Sequence, residues 1–115
     1  MNNSAALQYY NLYERCLAYP QSYKIRRLLE LNRIQPGDEL GEWVCLPVPG
    51  YNTRTYTMTP NHHFHCGWEC NCQGFQSKVR KGKEPHCSHI NALRIHQESA
   101  VAYGQMELSL PGGAT

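Results

Sequence analysis

Cys70-Asn71-Cys72 and Cys87-Ser88-His89 together spell C-x-C-x14-C-x-H, and the fold turns on how this stretch is read. A structural zinc ion takes four tetrahedral ligands drawn from thiolate sulfur and imidazole nitrogen, supplied as two pairs by separate pieces of chain. The spacing offers such pairs. The first is expected on a tight turn after a strand and the second at the N-terminus of a helix, where the helix dipole favours thiolates. Three sulfurs and one nitrogen form a soft set that selects zinc among the abundant metals. The expectation is one structural Zn²⁺ per chain, held by Cys70, Cys72, Cys87 and His89.

Other uses of these residues fit less well. Cys70 and Cys72 are too close in sequence to pair comfortably as a disulfide. Cys87 and His89, two apart on a helix, do not face each other, and no third group orients them for nucleophilic catalysis. Cys66 and His86 are competing ligands by position, although His89 is favoured over His86. The run His62-His63-Phe64-His65 offers a second metal site, but exposed histidines on a turn and strand are the expected reading. Cys16 and Cys45 fall where small buried hydrophobes belong.

Composition points the same way. The chain has 115 residues, the size of one domain, with 11 Leu, 4 Ile, 4 Val and 2 Phe, so strong core formers are scarce. Disorder of that composition also needs a large net charge, and the formal charge is only +2. A second source of stability is therefore expected. Structural zinc supplies about 10–16 kcal/mol of apparent binding free energy in finger peptides, comparable with the ~5–15 kcal/mol stability of a whole domain. No 18-residue apolar run exists, and the first residues lack the pattern of a signal peptide, so no membrane partner and a cytoplasmic (or nuclear) location are expected. Reduced thiols in that compartment suit metal ligation.

Around the motif, apolar periodicity predicts a helix beginning near Asn3 or Ser4, with Ala6, Tyr10, Tyr13 and Leu17 on one face and Pro20 at its end. A second helix comes next, with Ile25, Leu28, Leu29 and Asn32 inward and Lys24, Arg26, Arg27 and Arg33 outward. Pro36-Gly37-Asp38 closes this part. Residues 42–48 and 53–59 are rich in Trp, Val, Thr and Tyr and flank Pro49-Gly50-Tyr51-Asn52, which predicts a β-hairpin. A third strand is expected over 64–69, a basic loop over 76–84, and a helix from Cys87 to about Tyr103 with Gly104 as its C′ residue. These elements make an α+β fold: N-terminal helices, a small antiparallel sheet, a zinc knuckle and a C-terminal helix.

From Trp43 to Ile95, just under half the chain, the sequence resembles a SWIM zinc finger. The features that carry the resemblance are the hairpin strand Tyr56-Thr57-Met58, the C-x-C knuckle followed by Gly74-Phe75, and Cys87-Ser88-His89-Ile90-Asn91-Ala92-Leu93 opening a helix. Many relatives have Pro-Asp where this chain has Gln73-Gly74, and a basic residue in place of Ser88. The chain is expected to divide into an N-terminal helical segment (1–36), a SWIM-like finger domain (37–104) and a flexible tail (105–115), whose Pro111-Gly112-Gly113 stretch carries little pattern. The resemblance implies an interaction module, binding nucleic acid in a DNA-handling complex or docking another protein.

Charge refines the choice of partner. Three thiolates and one Zn²⁺ lower the formal +2 to about +1, too little for a protein that coats DNA nonspecifically. Any nucleic-acid contact has to be local; Lys78, Arg80, Lys81, Lys83 and Arg94 are the candidates, and Lys24, Arg26, Arg27 and Arg33 against Glu30 form a second basic patch. The alternative is a protein adaptor whose finger is purely structural, docking through Tyr9, Tyr10, Tyr13, Tyr19 and Tyr23. No acid/base pair or glycine-rich phosphate loop is present, and four protein ligands leave zinc no open position, so neither an enzyme nor a small-molecule substrate is expected.

Overall fold

Asn32 turns the chain from helix into sheet. In the computed structural model, which describes residues 15–109 and side chains over 15–99, helix α1 spans Ser22–Glu30 with Ile25 and Leu28 buried. Asn32 adopts the left-handed conformation (φ 57°), its N–H donates to the Leu29 carbonyl, and the Arg33 N–H donates to Leu28 at 2.9 Å. That is a Schellman motif, with asparagine in the place glycine usually takes. Asn32, expected on the inner stripe, is therefore exposed at the helix end. The first helix expected from the sequence lies outside the described residues except for its helical end at 15–17; Tyr9, Tyr10 and Tyr13 lie outside them too.

The chain next forms a four-stranded antiparallel sheet: β1 Ile34–Pro36, β2 Trp43–Cys45, β3 Tyr56–Pro60 and β4 Trp68–Cys70, in that spatial order. Cys45 pairs with both Ile34 and Tyr56, and Met58 pairs with both Trp43 and Cys70. Because side chains alternate along a strand, this register puts Ile34, Cys45, Met58 and Cys70 on the core face. All four are buried, while Gln35, Thr57 and Glu69 occupy the other face. The hairpin turn lies at the expected Pro49-Gly50, with Gly50 at φ 78°.

Three elements differ from expectation. Ile34–Pro36 is a strand rather than the end of the helical part, since the Schellman turn delivers it directly alongside Trp43–Cys45. The third strand starts only at Trp68: residues 61–67 fold back on themselves through Asn61 N–H to Gly67 O and Gly67 N–H to Phe64 O. The basic segment expected as a loop is largely helix α2, Gln73–Arg80. It ends in a second Schellman motif, with Gly82 at φ 69°, its N–H on the Val79 carbonyl and the Lys83 N–H on the Lys78 carbonyl.

Helix α3, Ser88–Ser109, packs against α1, β1 and β4. Its first two turns are buried almost all round, with Ile90, Ala92, Leu93 and Ile95 in the core. The helix passes through Gly104, its expected C′ residue, because a glycine inside a helix costs only about 1 kcal/mol relative to alanine. The side chains of Ala100 and Val101, expected on its inner stripe, lie outside those described. Cys16 and Cys45 are buried as expected; burial raises both thiols, Cys45 to about 11, so each stays neutral near pH 7.

Phe75 of α2 is fully buried, with Phe64 edge-on to its ring at 5.3 Å, which seals the 61–67 turn onto α2. Phe75→Ala is expected to cost about 3–5 kcal/mol in urea unfolding of the zinc-loaded protein. Its backbone N–H remains, so zinc stoichiometry should stay the same. A destabilisation under about 1 kcal/mol would contradict this packing.

Candidate metal centre

Each of the four side chains is placed by the end of an element. Cys70 is the last residue of β4, and Cys72, two residues on, is the N-cap of α2. Cys87 immediately precedes α3, and His89 sits in its first turn. The two helix starts are built alike. The Cys72 carbonyl accepts from the Gln76 N–H, and its Sγ accepts from the Phe75 N–H at 3.4 Å; the Cys87 carbonyl accepts from Asn91, and its Sγ accepts from the Ile90 N–H at 3.5 Å. In each case sulfur plays the part that a serine or aspartate oxygen plays at an ordinary N-cap.

The four ligand atoms lie within 4.8 Å of one another, and all four residues are buried. His89 Nδ1 is 3.8 Å from Cys70 Sγ. A tetrahedral ion with Zn–S bonds of about 2.3 Å sets its ligand atoms roughly 3.8 Å apart, so the cluster suits one structural zinc ion. With Zn²⁺ the group carries a net charge of −1. Two helix N-termini, each worth roughly +0.5 charge, converge on it and offset that charge inside the core.

Neighbouring residues hold these ligands in place, and the motif spacing by itself points to none of them. Asn71, between the two cysteines, is clamped to β3: its side-chain oxygen accepts from the Thr57 N–H at 2.8 Å, and its N–H donates to the Thr57 carbonyl at 3.2 Å. Gln76 donates from Nε2 to the Cys70 carbonyl at 2.9 Å, tying α2 back to β4. Tyr56 stacks on the His89 ring, with centroids 4.7 Å apart and planes 26° from parallel, and so fixes the imidazole. The one sequence sign of such supports is the Asn in C-N-C, since asparagine commonly bonds nearby backbone.

The competing residues stay apart. The half-buried Cys66 donates its thiol to the Trp68 carbonyl at 3.2 Å, and His86 is exposed. His62, His63 and His65 are exposed, and no second group of metal-binding geometry occurs among the described residues. Arg80, Lys81, Lys83 and Arg94 are also exposed, whereas Lys78 turns inward enough for its Nζ to donate to the His86 carbonyl at 3.2 Å. No described helix is long and apolar enough to cross a membrane.

Without a cation, three buried sulfurs at this separation share protons. Cys72 accepts from the Cys70 and Cys87 thiols, which carries its ionisation far below the ordinary thiol range. Cys70 is driven far above that range by its bonds to Cys72 and Cys87 and by burial. For Cys87 the bond with Cys70 acts downward, but the bond with Cys72 and burial outweigh it and push the thiol up to about 12. A divalent ion at the centre replaces those protons.

No family model, curated protein or solved structure matches the chain. Function has to be read from the residues themselves.

Near neutral pH, zinc should expel thiol protons, because cysteine binds it as the thiolate. The metal-free chain binds more protons than the loaded one, so affinity should rise steeply with pH near neutrality in chelator competition. An affinity independent of pH would contradict thiolate ligation of the ion. Strong chelation, or Cys70→Ser, should abolish much of the helical circular dichroism and shift Trp68 fluorescence to the red. Unchanged spectra after complete metal removal would show that the ion is not structural.

Proposed function

We propose that this chain is a SWIM-type structural-zinc module that binds the sugar–phosphate backbone of nucleic acid, as a subunit of a DNA-handling assembly. The observation that carries the reading is the position of the basic residues between the two ligand pairs. Cys72 caps α2, Cys87 opens α3, and the chain between them bears Lys78, Arg80, Lys81 and Lys83. Its two ends are fixed in the core, and the Gly82 and Lys83 N–H groups close the helix with one backbone bond each. Charges preset on such a segment contact phosphate with little ordering cost. Arg94, exposed on α3, is a further candidate contact.

Four protein donors fill a tetrahedral shell, so the reading gives the metal a structural role and no part in catalysis. The same cations also complement the C-terminal dipole of α2, and charge reversal therefore has two effects to separate. Zinc content reports the structural one.

Titration of labelled duplex DNA, single-stranded DNA and RNA at several salt concentrations tests the reading. Binding should weaken with salt. The combined Lys81→Glu, Lys83→Glu variant should lower the duplex log–log slope by about 2 units, about 0.9 for each phosphate no longer neutralised, while retaining zinc. Absence of salt-dependent binding to all three nucleic acids would refute it.

A further inference from the structure

Beside the metal centre, on the side of α1, a pocket opens to solvent. Its deeper wall is mostly apolar, formed by Leu28, Cys45, Val48 and Tyr56, and His89, stacked on the Tyr56 ring, also lines it. Tyr23, Lys24, Arg27 and Tyr51 at its mouth are all exposed, and the Arg27 guanidinium lies over the Tyr51 ring, 5.7 Å from its centroid. No carboxylate is among the described residues that line it.

We propose that this pocket is a docking site for a protein segment carrying one aliphatic side chain flanked by acidic residues. Size selects the anchor. The cavity measures about 50 Å³, well below the about 150 Å³ of an engineered apolar cavity that binds benzene, so it suits the branched end of an aliphatic side chain better than a whole aromatic ring. Charge selects the flanks: Lys24 and Arg27 stand at the mouth with no acid among the lining residues, which complements carboxylates on either side of the anchor.

A shallower groove continues from the mouth along α1 between Tyr23, Arg27 and Leu31, spaced four residues apart and all exposed. Within it Arg26 is paired with Glu30 at 2.6 Å, and Arg27 has no ion pair among the described residues. A bound segment thus has an apolar hole for its anchor and a basic shelf for the neighbouring residues. This surface is separate from Arg80, Lys81 and Lys83, and docking here does not depend on phosphate binding by those residues.

Selection from a peptide display library on the zinc-loaded full chain tests the inference, with the Arg27→Glu variant as counter-selection. The expected consensus is Leu, Ile, Val or Met with Asp or Glu on both sides. A synthetic peptide of that consensus should lose at least tenfold in affinity on Arg27→Glu, on Lys24→Glu, and on replacing its aliphatic residue with alanine. Both protein positions are exposed, and retained zinc and circular dichroism verify folding. No enrichment over the variant, an aromatic or basic consensus, or displacement of the peptide by single-stranded DNA would each overturn the proposal.

Discussion

The structure depends on bringing three sulfurs and one imidazole nitrogen to one buried point from three backbone elements. Uncompensated, such a group is unfavourable, because like charges and buried thiolates repel and desolvate one another. Three features offset that cost. A divalent ion suited to the donor set neutralises most of the charge, two helix N-termini face the remainder, and backbone N–H groups of Phe75 and Ile90 point at two of the sulfurs. The helices need the sulfurs as much as the metal does. Neither α2 nor α3 has a serine, threonine or aspartate cap at its start, and the ligand sulfurs take that role.

This mutual dependence explains how a chain so poor in aliphatic residues holds a single core. Cys70, Cys72 and Cys87 belong to the same buried cluster as Ile25, Ile34, Met58, Phe75 and Leu93. Helix α1 joins it through α3, so the helical segment and the finger share one interior. An ion pair between Arg15 and Glu98 ties the residues before α1 to the outer part of α3. Tyr56 stands between the metal centre and the pocket, stacked on His89 and lining the apolar wall. The pocket therefore inherits its shape from the metal centre.

The four clustered residues, the β2–β3 hairpin and the start of α3 are legible in the sequence because each rests on local chemistry: paired ligands, a Pro-Gly turn, and apolar residues at helical spacing. Helix α2 is not, since polar and basic residues fill it and cysteine is outside the usual set of N-caps. Gly82, one residue past its C-cap, is the available signal. Strand β1 is only three residues long and ends in Pro36, so no alternation marks it. The clamps made by Asn71 and Gln76 depend on the register of β3 against β4 and on where α2 lies, which tertiary packing sets. The position of Arg27 over Tyr51 likewise comes from how α1 meets the turn after β2.

The central claim is that one zinc ion sits among Cys70, Cys72, Cys87 and His89 with no other ligand, and zinc-edge X-ray absorption of the purified full chain tests it most directly. The account requires a shell of three sulfurs at about 2.3 Å and one nitrogen at about 2.0–2.1 Å. A shell containing water or carboxylate oxygen, a second imidazole, or fewer than three sulfurs would contradict it.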